Sequence, residues 1–270
     1  MGREKTFMRF RQNADAIYKK MFKRTFFSQR LLKNKLKQFK KTRNQDTCFI
    51  LGNGPSLTWE LVQRLECKVT FAFNKIYLMP EVTGIDWHPT FYMVEDDLVL
   101  NQNHLEIASF CKRNPKMISF FRFYRKSVYA NIYNLFQYNY VDDETKKFSF
   151  RPWHEVVSGQ SVVYSAIQVA ISMGFKRIVL LGVDFNFGEY NARTAADGVI
   201  LGAQEKTHFS TNYRKKNEKW NPPNLEKQKR FFEFARSIIP EIGVEIIDCT
   251  PNGKLGVFPQ KNIDEVLRNG

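Results

Sequence analysis

The clearest chemical signal in the chain is a glycine-rich segment that directly follows an apolar, strand-like run. Residues 49–51 are Phe-Ile-Leu, and residues 52–56 are Gly-Asn-Gly-Pro-Ser. The glycines permit a sharp turn close to a ligand, and a helix beginning here would point free N–H groups at a phosphate. The segment matches neither the dinucleotide fingerprint nor a P-loop, so a plain αβ corner is the alternative. The candidate binding residues are Gly52, Asn53, Gly54 and Ser56.

Polar side chains also end the next two strand-like runs. Asn74 closes the run 68–74, and Glu95 closes the run 89–95, followed by two aspartates. Because the carboxyl ends of parallel strands meet at one edge of a sheet, we expect these side chains to face a shared crevice. The acids could bind a metal or a sugar hydroxyl, and they could equally cap the following helix. The acid cluster consists of Glu95, Asp96 and Asp97.

A second motif precedes a strongly apolar helical pattern. Ser158 and Gly159 stand where this helix should begin, and Gly174 stands where it should end. The run 176–185 follows at once as a central strand, with Asp184 at its carboxyl end. That position suits a ligand contact, although Asp184 could instead hydrogen-bond the amides of a neighbouring loop.

A long polar stretch, residues 186–223, contains Asn186, Tyr190 and His208. A loop of this length in a compact domain is usually functional, so the stretch is predicted to be a lid. Histidine can take up a proton near pH 7, although a lone histidine is more often structural than catalytic.

The elements that position these residues alternate between strands and helices. The order predicts an α/β fold, a three-layer sandwich around a mostly parallel, Rossmann-like sheet. Residues 45–270 are expected to form one such domain, completed by a helix at 224–239, a strand at 244–248 and a short helix at 263–267.

The net charge of the chain, +15, is concentrated in residues 1–44, which hold 15 Lys and Arg against two acids. Aromatic and aliphatic residues alternate with these cations, so the segment is predicted to be an amphipathic helical arm. A basic and apolar helix suits an anionic membrane surface. A contact between subunits of a homo-oligomer is the alternative; without a recognisable nucleic-acid module, no nucleic-acid partner is predicted.

No apolar run is long enough to span a bilayer, and no signal-peptide pattern is present. The four cysteines form neither a metal-binding nor a disulfide spacing, which favours a reducing compartment. The expected location is therefore the cytoplasm, peripheral on the inner face of the membrane.

The glycine-rich motif, the Ser-Gly pair and the sequence Leu-Gly-Val-Asp-Phe at 181–185 together resemble bacterial sialyltransferases of glycosyltransferase family 42. They are also similar to the broader DUF115 group, which includes the MptE-like 6-hydroxymethylpterin pyrophosphokinases. The likeness covers roughly residues 49–258. It implies a GT-A-type Rossmann-like domain that binds a nucleotide-sugar.

The resemblance also implies roles for individual residues. Asn53 and Asn74 match residues that contact a CMP-sugar donor, and Ser158 with Gly159 matches a pair that touches the donor carboxylate or nucleotide. His208 matches the general base.

Two tyrosines hold the departing phosphate in the sialyltransferases. Tyr190 can match the second of them, whereas Asn186 stands where the first would be. The family also has an asparagine on the third strand, where this chain reads Met-Val-Glu-Asp at 93–96. These departures leave room for another nonulosonate or Kdo as the sugar, and the acid cluster points towards the DUF115 kinases, which need magnesium.

The function expected from the resemblance is an inverting, metal-independent transfer of a sialic-acid-like sugar from a CMP-activated donor. No cofactor is expected, and the acceptor would be a cell-surface glycan or glycolipid of lipopolysaccharide or capsule biosynthesis in a bacterium. One alternative is a magnesium-dependent diphosphotransferase of the MptE-like type. The other is a non-catalytic scaffold in surface-polysaccharide assembly.

Overall fold

A computed structural model describes residues 29–42, 44–123, 127–129, 131–186, 193–194, 200–201, 207–215 and 218–268. The helices are α1 (29–42), α2 (Trp59–Gln63), α3 (Met79–Thr83), α4 (Asp97–Gln102), α5 (His104–Arg113), α6 (Val162–Ser172), α7 (Leu225–Ile238) and α8 (Ile263–Arg268). The strands are β1 (Thr47–Leu51), β2 (Val69–Phe73), β3 (Phe91–Val94), β4 (Ile118–Arg122), β5 (Leu135–Tyr138), β6 (Tyr140–Val141), β7 (Val156–Val157), β8 (Arg177–Leu181), β9 (Arg193–Thr194), β10 (Ile200–Leu201), β11 (Lys219–Trp220) and β12 (Glu245–Asp248).

Seven strands form one sheet in the order β12-β8-β1-β2-β3-β4-β5, and every neighbouring pair in it is parallel. The chain builds β1 to β5 towards one edge and then returns to place β8 and β12 on the other side of β1. The strand order therefore reverses between β1 and β8, which is where doubly wound folds bind ligands. The two-stranded sheet β6–β7 and the three-stranded sheet β9–β10–β11 lie outside this sheet.

The central strands are apolar on both sides because helices cover both faces of the sheet. Successive residues of β1 alternate between two buried clusters: Cys48 and Ile50 belong to one, Phe49 and Leu51 to the other. Side chains of α1, α6 and α7 complete the first cluster, and those of α2, α5 and α8 complete the second. This arrangement confirms the predicted three-layer α/β sandwich with a Rossmann-like sheet.

Two local features of the elements are distinctive. The helix that follows the acid cluster is divided at Asn103, which ends α4 and precedes α5. The aromatic segment 123–150 contributes β5 to the sheet edge and the short strand β6.

Helix α1 lies in the predicted basic arm and packs on the sheet. Leu32 and Leu36 are buried in the first cluster, and the Phe39 ring meets the Phe91 ring edge to face, with 5.1 Å between centroids. The apolar face of this part of the arm is thus part of the folded core. Residues 1–28 lie outside the described residues. Among the residues the structure describes, no helix is long and apolar enough to cross a membrane.

Candidate active site

A cavity of about 840 Å³ lies at the carboxyl edge of the sheet. The ends of β1, β2, β3 and β8, the start of α6 and residues from 207–213 and 221–223 contribute to its lining. The predicted residues that line it are Gly52, Asn53, Gly54, Asn74, Glu95, Asp96, Asp97, Asp184, Asn186 and His208. The structure therefore gathers residues from four separate motifs around one space.

The glycine loop, residues 52–56, is fastened to the loop after β8 by backbone contacts. The Gly52 N–H donates to the Leu181 carbonyl at 2.7 Å, and the Gly54 N–H donates to the Gly182 carbonyl at 2.9 Å. A Cβ atom on Gly54 would lie 1.8 Å from Asp184 Oδ2, and one on Gly52 would lie 2.3 Å from the Gly182 carbonyl oxygen. Glycine is required at both positions because the two loops approach so closely.

Asp184 holds the same junction together with its side chain. Its Oδ2 accepts a hydrogen bond from Ser56 Oγ at 2.7 Å, and its Oδ1 accepts one from the Ser56 N–H at 3.2 Å. Burial raises the pKa of Asp184, while the bonds from Ser56 act in the opposite direction. Of the two possibilities open for Asp184, the structure shows the bond to a neighbouring amide. Ser56 serves this junction and is not among the residues that line the cavity.

Asn53 and Asn74 bring carboxamide groups to the cavity. Asn53 Nδ2 donates to the Phe73 carbonyl at 3.1 Å and to the Tyr213 hydroxyl at 2.8 Å. The Oδ1 atoms of Asn53 and Asn74 are buried and have no hydrogen-bond partner within the described part of the chain. Buried polar atoms normally have partners, so each of these two oxygens still lacks a hydrogen-bond donor.

Ser158 and Gly159 shape the turn before α6 rather than the cavity surface. Ser158 is 1% exposed, and its hydroxyl donates to Asp142 at 3.1 Å. A Cβ atom on Gly159 would lie 2.3 Å from the Tyr164 ring. The cavity is lined instead by the next residues, including Ser161, Val162 and Val163. The predicted donor contact of the Ser-Gly pair stays a prediction.

His208 is enclosed by the segment that carries it. Its ring stacks on the Tyr213 ring with 3.8 Å between centroids, and its Nδ1 lies 2.9 Å from Thr207 Oγ1. Burial, aided by the positive charges of Arg214 and Lys75, lowers the pKa of His208 to about 3. The imidazole is therefore neutral at pH 7 and holds a proton only weakly. The second catalytic candidate, Tyr190, lies outside the described residues, as does much of the predicted lid.

A buried ion pair anchors the described part of this segment to the sheet. Lys75 is 4% exposed; its Nζ donates to the Tyr213 carbonyl at 2.8 Å and pairs with the Glu218 carboxylate. Glu218 also accepts a hydrogen bond from Asn103 Nδ2 at 3.1 Å. Burial lowers the pKa of Lys75, and Glu218 opposes that change. Lys75 follows Asn74 at a strand end, a signal that could have identified it; nothing in the sequence pattern singles out Tyr213 or Glu218.

The acid cluster does not act as one group. Asp96 caps α4, since its Oδ1 accepts from the Leu98 N–H at 2.7 Å, and Asp97 forms an ion pair with Arg122 at 3.1 Å. Among the described residues, no group of three or more His, Cys, Asp and Glu side chains is arranged to hold a metal ion. The three acids therefore do not fit a shared magnesium site, and helix capping is the role the structure shows for Asp96.

Glu95, the first of the three acids, is buried in a different environment. It is 5% exposed, and its Oε1 accepts a hydrogen bond from the Tyr138 hydroxyl at 2.5 Å. Burial raises the pKa of Glu95 to about 7, against the opposing effects of Ser165, Tyr138 and the Arg122 charge. The carboxyl group therefore changes its protonation state near neutral pH.

The family described as "6-hydroxymethylpterin diphosphokinase MptE-like" matches residues 24–189. The chain belongs to the MptE-like family. This membership confirms the predicted relation to the DUF115 group. Since the family description names a diphosphokinase, membership supports a transferase.

One solved structure is similar to this MptE-like chain, that of the MAf glycosyltransferase from Magnetospirillum magneticum AMB-1. The sequences are 14% identical, and the TM-score is 0.49 over 82% of this chain and 34% of that one. The MptE-like chain thus spans about a third of that protein's length. No curated protein sequence matches it at a significant level.

Proposed function

We propose that this MptE-like chain is an inverting glycosyltransferase that moves a sialic-acid-like sugar from a CMP-activated donor to a glycan or glycolipid acceptor. The observation that carries the proposal is the pair of buried carboxamide oxygens, Oδ1 of Asn53 and Oδ1 of Asn74, beside the cavity. Each needs a hydrogen-bond donor. A CMP-sugar offers several, namely the cytosine amino group, the ribose hydroxyls and the sugar hydroxyls.

The negatively charged part of the donor has a matching environment. The first turn of α6 borders the cavity through Val162 and Val163, and the early N–H groups of a helix favour an anion. The glycine loop brings further backbone to the same space without side chains between it and a ligand. These groups would stabilise the phosphate of CMP as it leaves, which requires no metal ion.

In the proposed reaction the acceptor oxygen bonds to the anomeric carbon from the side opposite the phosphate. The carbon–oxygen bond to the phosphate breaks, and its electron pair leaves with CMP. His208, neutral and half-buried, would orient the donor by hydrogen bonding. Tyr190 and the lid at 186–223, both predicted from the sequence, would hold the phosphate and exclude water.

The family description favours a second candidate, magnesium-dependent diphosphate transfer from ATP. Magnesium is normally held by one or two carboxylates together with substrate phosphates. Here Asp184 is engaged by Ser56, Asp96 by the start of α4, and Asp97 by Arg122. Because each of these carboxylates already has a partner within the protein, we rank the metal-independent reaction first.

A thermal-shift screen with CMP, CDP, UDP, GDP and ATP, each in EDTA and in magnesium, tests the two candidates. We expect CMP to raise the unfolding midpoint in EDTA, because a ligand that binds only the folded state stabilises it. Stabilisation by ATP alone, and only with magnesium, would reject the CMP-sugar proposal.

Asn74→Gly adds a specific check, because it removes the carboxamide while glycine tolerates the φ of 47° at this position. We expect it to abolish the shift produced by CMP. Asn134→Gly is the matched control: Asn134 also has a positive φ, 57°, and its side chain bonds the Pro115 carbonyl away from the cavity. An equal loss in both variants would show that Asn74 has no direct contact with the nucleotide.

A lipid-linked acceptor would explain a basic segment beside this domain, so we also propose an anionic membrane surface, on the cytoplasmic face, as a partner. The apolar face of α1 is packed on the core, which leaves cations such as Lys40 and Lys41 on its exposed side. Each cation near an anionic surface contributes about 1 kcal/mol. A second copy of the chain stays the alternative partner of the arm.

Substitution tests the membrane surface as a partner better than deletion does. Removing residues 1–44 would also remove Leu32 and Leu36 from the core. We expect Lys40→Glu with Lys41→Glu to weaken sedimentation with phosphatidylserine vesicles about tenfold or more. Reversing Lys229 and Arg236, two exposed cations of α7, is the matched control. Equal weakening by both pairs would show a general charge effect and no membrane site on α1.

A further inference from the structure

Glu95 is a cavity-lining carboxyl group whose side chain is not ion-paired by the cation beside it. The Arg122 guanidinium contacts the Glu95 backbone carbonyl at 3.4 Å and pairs with the Asp97 carboxylate at 3.1 Å. The groups that face the Glu95 carboxyl are hydroxyls, Tyr138 from β5 and Ser165 from α6.

Two further charged or titratable neighbours belong to the same region. Tyr140 of β6 lines the cavity, and its ring lies under the Arg122 guanidinium, 4.5 Å from it. Asp96 follows Glu95 in the chain but points its carboxylate at the start of α4. Glu95 thus lines the cavity as an acid held by hydroxyl groups, and Arg122, the neighbouring cation among the described residues, pairs with Asp97.

We propose that Glu95 is a catalytic residue: its carboxylate takes the proton from the acceptor hydroxyl as that oxygen attacks the donor. The oxygen–hydrogen bond breaks, the proton passes to a Glu95 oxygen, and the acceptor oxygen bonds to the anomeric carbon. The bond from that carbon to the phosphate oxygen breaks, and its electron pair leaves with CMP.

The inference rests on the cavity being a transferase site, as proposed above, but not on which donor it takes. In diphosphate transfer the same hydroxyl would attack the β-phosphorus of ATP and release AMP, and its proton would need the same acceptor. Failure of the CMP proposal and failure of the Glu95 proposal are therefore separate results.

The choice of Glu95 over His208 follows from matching proton affinity to the working pH. A general base is most effective when its pKa lies near the pH at which it acts. Burial brings the pKa of Glu95 to about 7, whereas it takes the pKa of His208 down to about 3. Burial favours the neutral form of both groups, and only for the acid does this create a base suited to neutral pH.

The first test is the pH profile of donor hydrolysis, measured as CMP release from CMP-N-acetylneuraminate and as AMP release from ATP with magnesium. We expect wild-type kcat/KM to rise with an apparent pKa near 7. Glu95→Gln should lower kcat/KM about 100-fold or more and remove this rise, while the thermal shift given by the nucleotide is unchanged. Glu241→Gln, at an exposed position, is the matched control and should behave as wild type.

Tyr138→Phe separates a catalytic role from a structural one. The hydrogen bond from Tyr138 favours the ionised form of Glu95, so removing it raises the pKa of Glu95 further. The rise in rate should then move to higher pH while the carboxylate is still present. A rate that falls equally at every pH would indicate a merely structural contact.

Infrared difference spectroscopy provides a readout that needs no turnover. We expect a carboxyl band that titrates near pH 7 in the wild type and is absent from Glu95→Gln. The proposal is overturned if no such band exists. It is also overturned if the pH-dependent rise survives in Glu95→Gln and disappears in His208→Gln.

Discussion

The cavity has two walls of different character. The switch-point wall consists of residues 52–54, residues 182–184 and His208; the carboxyl wall consists of Glu95, Arg122 and Tyr140. In the first wall, backbone groups and the Asp184 carboxylate pair with one another across the β1–β8 junction. In the second, a buried acid is held by hydroxyl groups and titrates near pH 7.

Under the proposed function, this contrast would separate donor binding from proton transfer within one cavity. The switch-point wall is fixed by hydrogen bonds between its backbone groups and by the Asp184 carboxylate, and a fixed geometry suits recognition of a donor. The carboxyl wall holds Glu95, whose carboxyl group is bonded by hydroxyl groups and gains or loses a proton near pH 7. Such a wall suits the hydroxyl that reacts, because it can accept a proton. We therefore expect substitutions to disturb the two walls separately.

The largest effect is expected from Lys75→Met, which leaves the Glu218 carboxylate without its buried partner. Removing one member of a buried ion pair costs about 3–5 kcal/mol. We expect the free energy of unfolding in urea to fall by that amount and the infrared titration of Glu95 to stay unchanged. The double variant Lys75→Met with Glu218→Gln should recover most of the loss. If it does not, the Nζ bond to the Tyr213 carbonyl is the more important contact.

The second effect is on how the free energy of unfolding depends on pH. Titration of Glu95 in the carboxyl wall and of His208 in the switch-point wall should change it in opposite directions. The pKa of Glu95 rises on folding from its ordinary 4.5 to about 7, so the folded state binds more protons in this range. Stability from this group is present below pH 4.5 and is lost as pH rises to about 7, on the order of 3 kcal/mol. Glu95→Gln should abolish that decline.

His208 contributes in the reverse direction. Its pKa falls on folding from 6.5 to about 3, so its contribution is present above pH 6.5 and is lost as pH falls to about 3. His208→Gln should therefore flatten the acid side of the stability curve, measured by urea unfolding at a series of pH values. If Glu95→Gln and His208→Gln gave identical curves of stability against pH, the two walls would not titrate separately.

The third effect concerns the close approach of the glycine loop to Asp184. Gly54→Ala places a Cβ atom 1.8 Å from Asp184 Oδ2, so the junction must shift, at a cost of about 1–3 kcal/mol. We expect the nucleotide thermal shift to disappear, with the Glu95 titration retained. Gly84→Ala is the control, because its φ of 69° is strained but nothing lies within 4 Å of the added atom. Nucleotide binding that survives Gly54→Ala would show that this loop does not bind the donor.

Most of the sheet could be predicted from the sequence, because its strands are short apolar runs ended by glycine or by a polar residue. The meeting of Asn53, Asn74 and Asp184 followed from the rule that parallel strands end at one edge. The hydrogen bond between Ser56 and Asp184 could not be predicted, because the same residue types bind ligands and bind neighbouring loops.

The carboxyl wall could not be predicted in detail. Consecutive acids look alike in sequence, and the partner that distinguishes Glu95 is Tyr138, which lies 43 residues later in a segment without a clear pattern. The division between α4 and α5 at Asn103 also depends on residues that are distant in the chain. Asn103 bonds to Tyr77 and to Glu218, so contacts distant in the chain determine its conformation.

The position of β1 has a consequence for how the chain folds during synthesis. β1 lies between β2, which follows it closely in the chain, and β8, which comes more than 100 residues later. Thr47 of β1 is paired with Arg177 of β8. Until the ribosome has completed β8, one edge of β1 presents unpaired backbone groups and apolar side chains. Such edges promote aggregation, and sheets built from distant pairings fold slowly. Nascent chains that end before β8 are therefore expected to depend on chaperones, and full-length chains to be released from them.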